Sequence, residues 1–223
     1  MNFISHFENC KVKSNYHFDD KIIDHRGEWF TVGGKLTNTW QEDLASIKSN
    51  LFPMNWANIR STINGGTVNP NLEYQEYDIS FGGGNPKMTL VDVNDKLEQY
   101  TELFKIVNSF GLDDPRGRIH VQKTGQVFNY HIDTLDLLFP GIPEDKLIRI
   151  TVMLEDWRPG HFYMYGTCIY DRWEAGEYHW FKWRDVPHAT ANASSYPRCS
   201  LVITGIRTDA TDNILKNDNT YTS

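Results

Sequence analysis

Three side chains in this sequence have the types and the spacing of a metal site: His131, Asp133 and His188. The segment 125–133 is rich in apolar and aromatic residues and begins at a glycine turn, which predicts a β-strand. Because side chains alternate between the two faces of a strand, His131 and Asp133 should point the same way. Two imidazoles and one carboxylate on one side of a metal ion leave its other positions open. The alternatives are a chance H-x-D pair on an exposed strand and a core histidine at His188.

A basic residue and a hydroxyl follow His188. The intervening sequence predicts a strand, a turn rich in Ser, Tyr and Pro, and a returning strand, which together form a hairpin. In such a hairpin Arg198 and Ser200 share one face of the strand beside His188. A guanidinium and a hydroxyl placed there can bind a carboxylate through charge-assisted hydrogen bonds. The alternative is an exposed ion pair of Arg198 with Asp156 or Asp185, which would contribute little.

The order His131-x-Asp133, His188, Arg198-x-Ser200 resembles that of the Fe(II)/2-oxoglutarate-dependent oxygenase superfamily. The resemblance implies that the first three residues hold Fe(II) and form the catalytic centre. It also implies that Arg198 and Ser200 bind the far carboxylate of 2-oxoglutarate. The reaction would be oxidative decarboxylation of 2-oxoglutarate by O₂, coupled to oxidation of a substrate. Halogenases of this superfamily have a small residue in place of Asp133, so its presence favours hydroxylation.

A second set of residues loosely resembles the aspartyl/asparaginyl hydroxylase branch, which includes proline hydroxylases: Trp173-x-x-Gly176, Val186-Pro187-His188, Asn192 and Arg198. This resemblance implies an amino acid, a peptide or another small polar molecule as substrate. Two alternatives remain, a cupin-type metalloenzyme that does not use 2-oxoglutarate and a non-catalytic jelly-roll binding protein.

Two further residues are candidates for the co-substrate site. Arg149 shares a face of its predicted strand with Thr151, and some relatives place a second co-substrate contact on the corresponding strand. The long loop before that strand leaves the register of Arg149 open. Asn129 shares a face with His131 and either reaches the co-substrate or bonds to a neighbouring strand.

Several other side chains could compete for these roles. His120, His161 and His179 are rival metal ligands, although His179 lies in an aromatic strand and is expected to pack or to hydrogen-bond. Tyr163 and Tyr165 either line a cleft or fill the interior, and the sequence leaves both possibilities open.

The pattern of elements predicts a mainly β domain with supporting helices. Helices are predicted over 40–51 and 92–110, the second with an apolar face at helical spacing. Candidate strands separated by Gly and Pro turns are predicted over 29–32, 118–123, 126–133, 147–157, 161–169, 177–184, 186–192 and 198–207. So many short strands favour a sandwich or jelly roll, and the resemblance implies the double-stranded β-helix, a cupin-like jelly roll.

We expect a single domain over 1–223. It would consist of an N-terminal elaboration with support helices over 1–117, a metal-binding β core over 118–207, to which the resemblance corresponds, and a tail over 208–223.

Composition excludes several classes of protein. A net charge of −7 lacks the cationic footprint that duplex nucleic acid requires. Three cysteines are too few for a disulfide framework, and no apolar run approaches the ~18 residues of a membrane span. The first residues also lack the features of a signal peptide. We therefore expect a cytoplasmic enzyme that acts on a small molecule or peptide, in an oligomeric state that the sequence leaves open.

Overall fold

Two antiparallel sheets face each other in the computed structural model, which describes residues 30–51, 75–77, 88–133, 135, 138–166 and 168–217. The strands are β1 (Phe30–Lys35), β2 (Gln75–Tyr77), β3 (Met88–Asp92), β4 (Asp113–Gln122), β5 (Val127–His131), β6 (Leu147–Met153), β7 (His161–Tyr165), β8 (Cys168–Tyr170), β9 (Glu177–Phe181), β10 (His188–Asn192) and β11 (Arg198–Ile206). The helices are α1 (Gln41–Leu51), α2 (Thr101–Val107) and α3 (Asp209–Asn217), with 3₁₀ turns at Asn94–Lys96 and Glu144–Lys146.

The path of the chain between the sheets identifies the architecture. The larger sheet has the order β1-β9-β6-β11-β4-β3-β2, and the smaller sheet has the order β5-β10-β7-β8. From β4 to β11 the chain alternates between the sheets, apart from the β7–β8 hairpin within the smaller one. This is a double-stranded β-helix, and the predicted fold class is confirmed.

The helices cover the outer face of the larger sheet. Apolar residues of β4, β6 and β11, including Ile119, Ile150 and Leu201, are fully buried against α1 and α2. Gly117 permits this contact, because a Cβ atom at that position would lie 2.2 Å from Val107 Cγ2 on α2. The strong apolar stripe on this side fixes which face of the larger sheet is left to line the space between the two sheets.

The predicted helix over 92–110 is wrong in extent. Asp92 ends strand β3, Asn94 begins a 3₁₀ turn, and the α-helix covers only Thr101–Val107. The Asn94 side chain does not cap a helix but accepts a hydrogen bond from the Gly117 backbone at 2.9 Å. Leu97, which fits the apolar stripe in sequence, is 46% exposed. The preceding helix agrees with its prediction to within one residue.

The predicted hairpin between the strands of His188 and Arg198 is also wrong. β10 pairs with β5 and β7 in the smaller sheet, whereas β11 pairs with β4 and β6 in the larger one. The turn between them therefore crosses from one sheet to the other. Arg198 and Ser200 do share a face of β11, but that face lies opposite β10 rather than beside it.

The predicted strand over 161–169 forms two strands that turn at Gly166, where φ is +55°. None of the described helices has the length and the apolar character that crossing a bilayer requires.

Candidate metal centre

Strand pairing in the smaller sheet brings the two histidines together. His131 ends β5, His188 begins β10, and the two residues are direct partners in the antiparallel register. Their imidazole centroids lie 4.2 Å apart. Asp133 lies just beyond the end of β5, not inside the predicted strand, and it still reaches the same point. One ligand atom from each of the three residues lies within 4.8 Å of the other two.

Each imidazole faces a different oxygen of the Asp133 carboxylate. His131 Nε2 is 3.4 Å from Asp133 Oδ1, and His188 Nε2 is 3.6 Å from Asp133 Oδ2. His188 Nδ1 lies 3.4 Å from the carbonyl of Val186, which orients the ring so that Nε2 points into the site. Burial disfavours the charged form of this ring and lowers the pKa of His188 to about 3. The histidine is therefore neutral at neutral pH, which is the form that binds metal ions.

Asp133 is ionised although it is buried. Burial alone would raise its pKa, but the positive charge of Arg149 and the nearby imidazoles hold the pKa well below its usual range. Arg149 Nη1 lies 2.5 Å from Asp133 Oδ2, and the two side chains are 17% and 10% exposed. This contact is an ion pair without hydrogen-bond geometry, because Oδ2 accepts no hydrogen bond from any described residue. A buried carboxylate oxygen in this state, beside two imidazoles, fits a divalent metal ion of the iron type.

Arg198 lies deeper, between the sheets. Its side chain is 2% exposed, its Nη1 donates to the carbonyl of Phe162 at 2.9 Å, and its guanidinium lies 4.0 Å from the ring centre of Tyr163. Tyr163 donates its hydroxyl hydrogen bond to Ser200 Oγ at 2.7 Å, which joins the two predicted residues through a third. Arg198 Nε donates no hydrogen bond within the described part of the chain.

A row of aromatic rings connects this arginine with the candidate ligands. Tyr163 stacks on Tyr165 with ring centres 5.9 Å apart, and Tyr165 stacks on His188 at 6.0 Å. The hydroxyl of Tyr165 lies 2.5 Å from Nε2 of His179, a residue that is completely buried. His179 thus packs and hydrogen-bonds, in agreement with the expectation from its aromatic strand.

The remaining predicted residues are placed as follows. Arg149 faces the carboxylate ligand, and Thr151 is buried on the same face of β6. The side chain of Asn129 lies outside the described part of the structure, so its predicted role stays a prediction. His161 is not near the three ligands, because it pairs with Asn192 at the end of β10 opposite His188. Its Nε2 lies 3.0 Å from the carbonyl of Tyr196.

Sequence reasoning does not single out two features of the site. One is the contact of Tyr163 with Arg198, for which the sequence carries no local signal because the two residues come from different sheets. The other is the inward position of Arg118 and His120. Their alternation with Ile119 and Val121 on β4 is visible in the sequence and could have indicated it.

Comparison with solved structures finds the same architecture in other proteins. The chain is similar to SnoN, a "non-heme alpha ketoglutarate dependent epimerase" from nogalamycin biosynthesis, with 13% identity over 82% of this chain and 80% of SnoN and a TM-score of 0.53. It is also similar to SnoK, a "non-heme alpha ketoglutarate dependent carbocyclase" from the same biosynthesis, with 11% identity over 86% and 85% and a TM-score of 0.51. No protein-family model and no curated protein sequence matches the chain. At these identities the comparison confirms the double-stranded β-helix as a fold.

Proposed function

We propose that the protein is an Fe(II)- and 2-oxoglutarate-dependent dioxygenase that hydroxylates an amino acid, a peptide or another small polar substrate. The observation that carries the proposal is Arg198, a buried guanidinium that has no acidic partner among the described residues and lies in the same interior as the triad of His131, Asp133 and His188.

A buried arginine without a counterion is costly. Burial lowers the pKa of Arg198, and among the described residues no carboxylate forms an ion pair with it. Removing a charge from water costs several kcal/mol unless an anion or hydrogen bonds compensate. The carbonyl of Phe162 and the face of the Tyr163 ring provide part of that compensation, and Nε, which donates to no described residue, remains for an anionic ligand. A dicarboxylate that chelates a metal at one end could supply that anion at the other.

The chain's own residues have distinct roles in this proposal. His131, Asp133 and His188 would hold Fe(II), which, when bound, supplies the activation of O₂ with 2-oxoglutarate as reductant. Arg149 keeps Asp133 ionised and therefore able to bind the metal. Arg198 and Ser200 would orient the far carboxylate of the co-substrate, and Arg149 would make a second contact with the co-substrate. Tyr163 holds Arg198 against one wall of the interior and restricts the co-substrate to one orientation.

SnoN and SnoK share the fold and depend on α-ketoglutarate by their descriptions, which supports the co-substrate proposed here. Their outcomes, epimerisation and carbocyclisation, are not hydroxylations. The proposed hydroxylation therefore rests on Asp133 as a third protein ligand and on the amino-acid hydroxylase resemblance in the sequence.

The test is succinate formation by the iron-loaded protein. Protein with Fe(II), 2-oxoglutarate and O₂ is incubated with pools of amino acids, peptides and oligonucleotides while succinate and product masses are followed. We expect an amino-acid or peptide pool to stimulate succinate release and to yield a product heavier by one oxygen atom. Succinate released only with oligonucleotides would contradict the substrate class, and a chlorinated product would contradict hydroxylation.

The Arg198 variants test the co-substrate site directly. Arg198→Ala and Arg198→Lys should each raise the apparent 2-oxoglutarate constant, by about ten-fold or more, because lysine keeps the charge but loses the planar fork. Arg184→Lys is the matched control, since this exposed arginine pairs with Glu144 away from the site. Metal binding without iron- and 2-oxoglutarate-dependent succinate formation would instead support a cupin-type or non-catalytic protein.

A further inference from the structure

The inner face of β4 carries basic side chains that the proposed function does not use. Arg118 and His120 alternate with Ile119 and Val121, whose side chains are fully buried against the helices. Strand alternation therefore directs Arg118 and His120 into the space between the sheets. Arg118 is the register partner of Val202, and His120 is the partner of Ser200, so both lie on the face of the sheet that carries Arg198.

Arg118 is only weakly paired among the described residues. Its Nη2 lies 3.7 Å from Asp92 Oδ2, beyond hydrogen-bond distance, and the two side chains are 32% and 42% exposed. Arg116, the neighbouring residue on the same face of β4, is hydrogen-bonded within the fold. Arg116 donates to the Leu138 carbonyl at 2.5 Å and to Asp114 Oδ2 at 2.8 Å. The guanidinium of Arg118 thus keeps its donors available, whereas that of Arg116 is used by the fold.

Arg118, Arg149 and Asp133 all lie close enough to His120 to shift its pKa, so Arg118 and the metal centre border the same space. Burial lowers the pKa of His120 well below its usual value, and Arg149 and Arg118 lower it further, while Asp133 acts in the opposite direction. His120 is therefore neutral and contributes a hydrogen bond rather than a charge. The ring of His120 therefore lies near Asp133, near Arg149 and near Arg118, which is partly exposed at the edge of this space.

The balance of charge indicates what this space lacks. Three guanidinium groups, those of Arg118, Arg149 and Arg198, act on His120, and Asp133 acts in the opposite direction. One further carboxylate, that of Asp92, faces Arg118 at the edge of this space. A metal dication and a 2-oxoglutarate dianion cancel each other. One positive charge therefore remains uncompensated among these groups, which a single carboxylate would neutralise.

We propose that Arg118 and His120, together with Arg149, bind a carboxylate of the primary substrate beside the metal centre. This inference rests on the proposed function and narrows its substrate to molecules with a free acid group. Arg118 supplies the planar fork that matches a carboxylate, and His120 supplies one further hydrogen bond. A phosphate dianion would overcompensate the remaining charge and would be repelled more strongly by the carboxylate of Asp92, so the balance of charge favours the monoanion.

The experiment measures binding directly rather than turnover. The probes are N-trifluoroacetyl amino acids, each as the free acid and as the primary amide, with 4-fluorophenyl phosphate as the competing anion. Fluorine NMR line widths are recorded with 2-oxoglutarate and protein loaded with Zn(II) or Mn(II). We expect free acids to bind in preference to their amides. The paramagnetic Mn(II) should add broadening, because the bound acid lies beside the metal.

Two substitutions should move acid affinity in opposite directions. Arg118→Gln should weaken it by about ten-fold or more, since a charge-assisted hydrogen bond is lost. Asp92→Asn should strengthen it, because the carboxylate that competes for Arg118 is removed. The acid affinity of Arg118→Lys should lie between those of the wild type and Arg118→Gln. This variant replaces Arg118→Gln in the test if the glutamine variant does not fold. Arg184→Gln, on the surface, should leave acid binding unchanged.

Several results would overturn the inference: amides binding as tightly as acids, no acid binding, binding of the phosphate alone, or acid binding indifferent to Arg118→Gln. These outcomes are separable from failure of the proposed function. Succinate formation without selective acid binding would retain the dioxygenase and remove the acid subsite. Selective acid binding without 2-oxoglutarate turnover would retain the subsite and remove the dioxygenase.

Discussion

The two faces of the larger sheet differ in polarity around the candidate site, although they are built from the same strands. The outer face is apolar and fully buried: Ile119, Val121, Ile150, Val152, Leu201 and Ile203. The inner face carries the polar side chains of the site: Arg118, His120, Arg149, Thr151, Arg198 and Ser200. On β4, β6 and β11 one neighbour of each polar residue is an apolar core residue.

This difference shows how the fold separates stability from chemistry. Apolar burial on the outer face stabilises the chain, at about 25 cal/mol per Å² of surface removed from water. Buried polar groups on the inner face are costly unless they are paired, and Arg198 and Asp133 keep donor or acceptor atoms that no described residue satisfies. The inner face can tolerate such groups because the outer face fixes the strands in register.

The largest effect is expected from removing a candidate metal ligand. The two histidine ligands belong to the smaller sheet, opposite the inner face of the larger one. His131→Ala and His188→Ala should each weaken Fe(II) binding by more than about 100-fold, since even partners that only orient a ligand are worth 10–100-fold. Titration of the metal-free protein under anaerobic conditions measures this. Asp133→Asn should also weaken Fe(II) binding, because it removes the negative charge of the ligand and leaves the positive charge of Arg149 uncompensated.

His161→Gln is the matched control for these variants, since this histidine lies against the Tyr196 carbonyl and should not affect the metal. Stoichiometric iron with unchanged affinity in all three ligand variants would place the site elsewhere.

An intermediate effect is expected on the outer face. Leu201→Ala removes a fully buried side chain on β11 and should lower the free energy of unfolding by about 2–5 kcal/mol. Metal affinity should remain that of the wild type, because the neighbouring inward residues keep their register. Urea unfolding and metal titration on the same sample give both values.

Ile169→Ala is the matched control for the outer face, because this residue is 57% exposed on the smaller sheet and should change stability by less than about 0.5 kcal/mol. Loss of metal binding in Leu201→Ala, at a temperature where it remains folded, would show that the two faces are not independent.

Local sequence patterns predict the parts of the fold that depend on near neighbours. The H-x-D spacing at His131 indicates the paired side chains, and the alternation around Ile148-Arg149-Ile150 indicates which way Arg149 points. Both indications hold although the predicted strand ends are inexact; β5, for example, ends at His131 and not at 133. Parity along a strand is therefore a dependable guide to which side chains share a space.

Pairing between distant strands could not be predicted in the same way. The sequence between His188 and Arg198 has the turn chemistry of a hairpin, and nothing local in it distinguishes a turn within one sheet from a crossing between two. The stripe that predicts a helix over 92–110 includes Leu97, and only the pairing of β3 with β4 shows that the chain is still extended at Asp92. Competition from tertiary contacts decides both cases.

The smallest effect is expected on the pH dependence of stability, and it comes from His179, a buried residue that is not one of the proposed ligands. His179 is completely buried, and burial, together with the positive charge of Arg198 and the nearby ring of His188, lowers its pKa to about 3. An unfolded chain would protonate the same histidine near pH 6.5. Because its pKa in the folded protein is depressed, the folded state takes up no proton there between those two values. Stability should therefore fall as the pH is lowered through this window.

The expected contribution of His179 is a slope of about 1.4 kcal/mol per pH unit in the free energy of unfolding. Urea unfolding of the metal-free protein at several pH values between 4 and 6 measures it, with His179→Gln expected to lose that part of the slope. Tyr165→Phe removes the hydroxyl partner of His179 but keeps the histidine, so it should lower stability at every pH and retain the slope. Equal slopes in the wild type and His179→Gln would mean that the ring is protonated in the folded protein, and the inner face would then tolerate one more positive charge than its arginines suggest.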